Sequence, residues 1–495
     1  MYKDATQEQI EAAMARSYNG FLKYKQVSGK DKGVFLRAVA DEIEALGAAL
    51  VQTAMQETNL PEARLAGERG RTCFQLRSMA EVVEEGSWVD ATIDTALPDR
   101  QPLPKPDIRN MLVPIGPVVV FGASNFPFAY STAGVDPSSA WAAGCSVVVK
   151  AHPAHPQTSE MVATAIQKAV EKTGMPEGVF EHIHGASFEV GKALVMHPRT
   201  AAVGFTGSLA GGKALYDMAN QREVPIPVFS EMGSTNPVFL LPNALSENAE
   251  KFSKMYALSI TGSMGQFCTK PGLIFGIESE GLDRFIATLS TEISNIAGVP
   301  MLHTGISKAF RAKREEVLSQ SGIEIESETT ASYNDADGIP SLASISGFEF
   351  MQNPKVHQEV FGPFALVIKC KDDFELNEIV NHLEGQLTCT LMATEDDIKT
   401  YNNIVQAASL ICGRLILNGV PTGVEVCPAM QHGGPFPAST DGRFGSVGSH
   451  AIKRFVRPLA IQNFPDAFLA PELQNANPLN IWRTINGKLT KDAIA

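Results

Sequence analysis

The chain has no pair of cysteines at CxxC spacing, although seven cysteines are scattered over its 495 residues. An odd, dispersed set argues against a disulfide framework and against a structural zinc site, and fits a reducing compartment. Positive charge is not in surplus: 41 Lys and Arg face 54 Asp and Glu, a net charge of −13. That balance disfavours nucleic acid as a partner, because nothing is left over to neutralise phosphates. No run of about 18 apolar residues occurs, so no membrane span is expected. Met1 to Arg16 is polar, with neither an apolar h-region nor a cleavage site, so no secretory signal is read there and the cytoplasm is the expected compartment. Internal repeats and low-complexity tracts are missing. So is a GxGxxG fingerprint, since Gly185-Ala186-Ser187-Phe188-Glu189-Val190-Gly191 does not fit it.

What is present is length enough for two or three domains, with 44% hydrophobic residues. Residues 6 to about 85 read as helices, with Phe35, Val39, Ile43, Leu46 and Leu50 on one face. Four prolines between Ala96 and Pro106 then break regular structure, as a surface loop or an arm would. From Met111 the pattern changes. Short apolar runs end at polar or glycine positions: Val118–Phe121 at Gly122, Ser146–Val149 at Lys150, Val179–His184 at Gly185, Ala201–Phe205 at Thr206-Gly207-Ser208. A fifth lies near Pro227–Phe229. Helices are expected between them, around Ala129–Ala143 and from about Thr158 to Lys172, the latter stopped by Gly174 and Pro176. A second alternating block runs from about Asn236 to Val426, with a helix from Ala249 to Ile260 leading to Cys268. Beyond about Phe455 the chain is proline-rich and loosely patterned. Alternation of this kind predicts an α/β fold with parallel, doubly wound sheets that bind ligands at strand carboxyl ends.

Several chemically active side chains fall at such ends. Cys268, in Gly265-Gln266-Phe267-Cys268-Thr269, is a candidate nucleophile, although a cysteine read alone is also ordinary core filler. Asn125, after Ser124, could donate to an oxyanion or simply shape a turn. Glu231 could serve as a base, with a pKa raised by a partly dry pocket. Lys150 could hold a ribose hydroxyl or a phosphate, or mark the strand's exit to water. Gly207 and Ser208 open a helix whose N-terminus could accept a pyrophosphate or merely be capped. Glu359-Val360-Phe361-Gly362-Pro363 by itself is a turn. No metal-ligating set is read.

Taken in order, Ile115-Gly116-Pro117, Ser124-Asn125-Phe126-Pro127, Val149-Lys150, Phe205-Thr206-Gly207-Ser208, Glu231-Met232-Gly233, Gly265-Gln266-Phe267-Cys268 and Glu359-Val360-Phe361-Gly362-Pro363 closely resemble the aldehyde dehydrogenase superfamily, from about residue 30 to 465. The resemblance implies a Rossmann-type parallel-sheet cofactor domain (1–95 and 111–232), an α/β catalytic domain (233–430) and a small oligomerisation arm and tail (96–110 and 455–495). It implies that Cys268 attacks an aldehyde, that Asn125 and the Cys268 N–H hold the oxyanion, and that Glu231 activates water against the resulting thioester. Lys150, Ser124, Gly207, Ser208, Glu359 and Phe361 would contact the cofactor. NADP is favoured and NAD is possible, because Lys150-Ala151-His152-Pro153 lacks the glutamate of many NAD-preferring members. A homodimer or homotetramer is expected.

Glu57–Arg64, Gly67–Thr72, Lys150–Pro156 and His432–Ala438 further resemble the 2,5-dioxopentanoate (α-ketoglutaric semialdehyde) dehydrogenases and related bacterial fatty aldehyde dehydrogenases. That subgroup implies oxidation of 2,5-dioxopentanoate to 2-oxoglutarate, with a medium- or long-chain aliphatic aldehyde as the alternative. A silent cofactor-binding relative and a thioester hydrolase are the readings from other classes. A substrate carboxylate would want an arginine. Arg71 and Arg69 are candidates, and surface ion pairs with Glu62 and Glu68 account for them equally well. His432 and Phe436 are expected to line the substrate tunnel, with His432 as wall rather than proton carrier.

Overall fold

The computed structural model describes residues 2–494. Four helices open the chain: Gln7–Tyr24, Gly29–Ala45, Gly47–Thr58 and Glu62–Glu85. The first starts at a capping box in which the Thr6 hydroxyl accepts from Gln9 N while the Gln9 side chain accepts from Thr6 N. These helices pack on a five-stranded parallel sheet. Its spatial order is Phe180–Ile183, Val147–Lys150, Val118–Phe121, Ala202–Thr206 and Val228–Glu231. Two of its central strands are valine runs buried on both faces, as a covered parallel sheet requires. Trp141 anchors the core beneath, edge-on to Phe35 and Phe180, and its carbonyl accepts from the Tyr24 hydroxyl.

A seven-stranded sheet follows. It runs Glu324–Glu328, Ser341–Ser346, Phe364–Cys370, Leu273–Ile277, Val238–Leu240, Gln386–Met392 and Cys412–Leu417, parallel except at its first pair. The two parallel sheets meet along residues 431–446. There Ser439 pairs with Glu231 as an antiparallel bridge, Thr440 N donates to Ser230 O, and Gly385 N donates to Phe436 O.

A third sheet joins Thr92–Asp94 and Ile108–Pro114 to Val456–Gln462, Arg483–Ile485 and Lys488–Thr490. The tail is therefore better ordered than its sequence pattern suggests. Its strands bury little of their own, and their order comes from long-range pairing such as Ala460 with Asn110. The sheet also takes in Thr92–Asp94 and all of Ile108–Pro114, so it extends on both sides of the 96–110 arm. A second difference lies before Val135. The helix expected from Ala129 begins only there, because residues 129–134 turn so tightly that a Cβ on Gly134 would stand 2.2 Å from Ala129 O. The helix Pro156–Thr173 stops at Gly174, which takes φ 65°, as its sequence predicts.

Candidate active site

Cys268 follows the helix Pro242–Thr261 through a strained turn in which Ser263, Met264 and Gly265 all take positive φ. Gly265 has no room for a side chain, since a Cβ would lie 2.2 Å from Gly362 O. Two amides fix the loop. Gln266 donates to Ser263 O and accepts from Leu302 N, and Asn236 Nδ2 donates to the carbonyls of Cys268 (2.8 Å) and Lys270 (3.0 Å). Asn236 is held in turn by Ser234 and Thr388.

The thiol faces two partners. Its Sγ lies 3.6 Å from His432 Nε2, and that nitrogen lies 2.9 Å from Glu231 Oε1. The second contact is charge-type and poorly aligned, so Oε1 has no geometric hydrogen bond, whereas Oε2 accepts from Ser446 Oγ at 3.0 Å. Burial pushes the Cys268 thiol well above its ordinary value, and the Glu231 carboxylate adds to this while Arg71 opposes it. Cys268 is thus a thiol until a base takes its proton. For Glu231, burial acts upward, but His432 and the Ser446 and Cys268 hydrogen bonds outweigh it and leave the carboxyl below its ordinary range. The upward shift expected from a dry pocket is reversed by these partners. His432, 2% exposed in its side chain, touches both Cys268 and Glu231.

Asn125 stands opposite, buried, with Nδ2 donating to Gln266 O at 3.1 Å. Its turn is held from three sides. Arg64 donates to Asn125 O and lies over the Phe126 and Phe267 rings at 4.9 and 4.7 Å. Glu68 accepts from Phe128 N and Ala129 N, and His155 bonds Ala123 O at 2.8 Å. The histidines of Lys150–Pro156 therefore face inward, with His152 stacked near His155 and His303, and burial lowers the pKa of His152 and His155. Sequence reading missed Arg64, Glu68, Asn236 and Ser446, since their partners lie 32 or more residues away.

Among the residues expected at the cofactor, Ser124, Lys150, Gly207 and Ser208 lie at carboxyl ends of the five-stranded sheet. The Ser208 hydroxyl caps the helix Leu209–Asn220 by accepting from Gly211 N, and the first residues of that helix are exposed. Lys150, half-buried with its pKa lowered by burial, feels the Asp4 carboxylate, which the N-terminal segment brings to Ala186 N at 2.7 Å. Glu359 approaches from the other sheet. A Cβ on Gly233 would lie 2.5 Å from its Oε2. Burial raises Glu359 to about 7, against the opposing pull of Lys270. Phe361 follows on the same partly exposed loop. A capped helix start, a lysine and a carboxylate are groups of the kind that could hold a dinucleotide's phosphates and ribose.

Arg71 lies over the Tyr130 ring at 5.5 Å and donates to Val424 O, while Arg414 donates to Pro421 O and Gly423 O. Each keeps one buried nitrogen without an acceptor: Arg71 Nη2 and Arg414 Nε. Arg69 instead binds Gly47 O. Phe436 stands at the surface, 60% exposed, and is not drawn into this group.

The aldehyde dehydrogenase family model matches residues 1–459. The chain belongs to the aldehyde dehydrogenase family. It is 46% identical over 484 residues to α-ketoglutaric semialdehyde dehydrogenase 2 of Azospirillum brasilense, covering 98% of this chain and 92% of that one. It is 43% identical over 493 residues to α-ketoglutaric semialdehyde dehydrogenase of Acinetobacter baylyi, covering 99% and 93%. In fold it is similar to betaine aldehyde dehydrogenase of Staphylococcus aureus (TM-score 0.78, 18% identity, 93% and 90% covered), solved with NAD+. The glyceraldehyde-3-phosphate dehydrogenase of Methanocaldococcus jannaschii, solved with NADP, is similar too (TM-score 0.77, 18% identity, 93% and 95% covered). This aldehyde dehydrogenase is an NAD(P)-dependent enzyme. Among its described residues no helix is long and apolar enough to cross a membrane.

Proposed function

We propose that the enzyme oxidises 2,5-dioxopentanoate to 2-oxoglutarate through a covalent thioester on Cys268. The observation that carries the chemistry is the line from Cys268 Sγ to His432 Nε2 and on to Glu231. The thiol proton passes to His432, backed by Glu231, as Sγ attacks the aldehyde carbon. The oxyanion of the thiohemiacetal sits against the second Asn125 N–H and the Cys268 backbone N–H. NAD(P), when bound, accepts hydride from this carbon and leaves a thioester. Glu231 then takes a proton from water as it adds to the thioester carbon, Cys268 leaves and regains the proton held on His432, and the acid is released. A base next to the thiol favours hydrolysis over transfer to coenzyme A.

Ser208 and the N–H groups after it would hold the pyrophosphate, Glu359 the nicotinamide ribose, with Phe361 beside the ring, and Lys150 the adenosine ribose or its phosphate. NADP is preferred on this reading, because the turn after Lys150 carries no carboxylate of its own. The nearby Asp4 is already engaged with Ala186.

The substrate's far carboxylate is read by Arg71 and Arg414. Their two unpartnered buried nitrogens support an anionic substrate over an alkyl chain, since an orphaned guanidinium donor costs free energy until an acceptor arrives. The names of the Azospirillum and Acinetobacter relatives support the same substrate. Extended, the substrate places its carboxylate roughly 5 Å from the aldehyde carbon, a short reach suited to arginines whose charge is felt at Cys268.

The test is an aldehyde panel with NADP and NAD in parallel, on wild type and on Arg71→Met and Arg414→Met. Both substitutions should raise KM for 2,5-dioxopentanoate by about 10- to 100-fold and leave decanal oxidation little changed. Higher kcat/KM for decanal than for 2,5-dioxopentanoate in wild type would favour the aliphatic reading. Turnover of a thioester without cofactor would favour a hydrolase.

Assembly with a second copy is part of this proposal. The strand Cys412–Leu417 leaves one edge of the seven-stranded sheet open, with Leu415 and Leu417 exposed, and Val456–Gln462 leaves an open edge on the third sheet with Leu459 exposed. Two bare apolar edges on one chain are matched partners for strand addition between copies.

A further inference from the structure

The edge strand Phe180–Ile183 presents His182, and His184 follows two residues on. Residues two apart on an extended chain share one face. That face is covered by the helix Pro156–Thr173, whose Glu160 sits in the second turn above both rings. Glu160 Oε2 lies 2.8 Å from His184 Nε2 and 3.4 Å from His182 Nδ1. The ligand atoms of all three side chains lie within 4.8 Å of one another.

We infer that Glu160, His182 and His184 form a binding site for one zinc-class divalent ion, separate from the dehydrogenase centre. Two imidazoles and a carboxylate are a borderline donor set that suits zinc, cobalt or nickel rather than magnesium, which prefers oxygen. Bonds of about 2.0–2.1 Å in tetrahedral array set ligand atoms about 3.3–3.4 Å apart. The Glu160–His182 separation already has that value, and the Glu160–His184 contact must open by about half an ångström. Glu160 can make this adjustment, because its side chain is 43% exposed while those of His182 and His184 are 10% and 16% exposed.

The surroundings are those of a supported site. His182 Nε2 is bound to the buried Ser159 hydroxyl at 3.0 Å, which orients the ring and leaves Nδ1 toward the carboxylate. Tyr2 stacks on His184, with centroids 3.9 Å apart and planes at 11°, and its hydroxyl reaches Gln157. Three protein ligands leave a fourth position for water on the exposed side. An ion here would tie an edge strand, a helix and the N-terminal segment together, and so would stabilise the fold. CxxC spacing gave no hint of it, because the donors come from two elements that meet only in the tertiary structure.

Among the described residues one other group has comparable geometry: Glu231, Cys268 and His432. The test must separate the two. Untagged, chelator-stripped protein carrying Cys268→Ala, which removes the thiolate donor of the second group, is titrated with zinc and with cobalt. One ion per chain is expected, with a cobalt visible spectrum of four-coordinate type and a zinc-dependent rise in Tm. Adding His184→Ala, or separately Glu160→Gln, should raise Kd by more than about 100-fold, since loss of outer partners alone reaches that. Ser159→Ala should cost about 10-fold. His184→Ala and Glu160→Gln in the otherwise wild-type enzyme should keep NAD(P)-dependent turnover, which shows that they fold. The inference is overturned if cobalt binding survives either substitution unchanged, or if magnesium binds as tightly as zinc.

Discussion

His432 Nε2 lies 3.6 Å from Cys268 Sγ, close enough to take the thiol's proton after a small shift. Because burial and Glu231 hold that thiol well above its ordinary pKa, attack depends on this transfer. His432→Ala should lower kcat by about 10²- to 10⁴-fold with cofactor affinity retained, measured by steady-state rates beside a fluorescence titration of NADPH. A change within twofold would return His432 to the tunnel wall. Cys268→Ala should abolish oxidation altogether while that titration is unchanged.

The carboxyl of Glu231 sits below its ordinary range because His432, Ser446 and Cys268 outweigh its burial. Its folded value is below its unfolded one. Its ionised form therefore adds stability above the unfolded carboxyl range, and that stability is lost as pH falls through the folded value. Ser446→Ala removes one of the restraining bonds. The acid limb of the kcat/KM profile should then move to higher pH. An unmoved limb would mean that Ser446 does not tune the base.

Lys270 is the charge partner of Glu359. It is buried, donates to Phe364 O at 2.8 Å, and burial lowers it to about 8 while Glu359 stands at about 7. Lys270→Met removes the one charge that pulls Glu359 downward. A larger protonated fraction at neutral pH would weaken its grip on a ribose hydroxyl. KM for the cofactor should rise several-fold, and the increase should be larger at pH 6 than at pH 8.5, where more of the carboxylate is ionised. An effect independent of pH would argue against this link.

Asp136 and Arg454 form a buried pair at 2.5 Å, with side chains 6% and 5% exposed. The pair fastens the helix Val135–Ala143 to the segment that leads into the third sheet. Asp136→Ala leaves the guanidinium buried without its charge partner, and should cost about 3–5 kcal/mol in urea unfolding. A loss below about 1 kcal/mol would show that water reaches Arg454.

Light scattering of the native enzyme should give at least twice the chain mass. Leu417→Asp, on the open edge of the seven-stranded sheet, should lower it. A monomeric wild type would remove the strand-addition reading.

Alternation was enough to find the five-stranded sheet, because runs such as Val118–Phe121 and Val147–Lys150 are uniformly apolar and end at glycine or a charge. It failed for Val456–Gln462, where Pro458 and four other exposed residues hide the strand, and pairing with Ile108–Pro114 creates it. In the site, Cys268, Asn125 and Glu231 were visible because each stands at an element's end inside an ordered motif. The contact of His432 with Cys268 and Glu231 was not visible, since nothing within its loop shows that residues 431–446 lie against Glu231.

The sequence by itself determined the class of chemistry: a thiol, an amide and a carboxylate in fixed order, on a fold written in local apolar periodicity. The tertiary structure alone decided how those groups are tuned. Contacts between residues 164 and 215 positions apart push the thiol's pKa up and the Glu231 carboxyl's down, and the fold leaves one buried nitrogen of Arg71 and one of Arg414 without an acceptor. Periodicity is a property of neighbours along the chain, whereas pKa and donor satisfaction depend on what folding brings within a few ångströms.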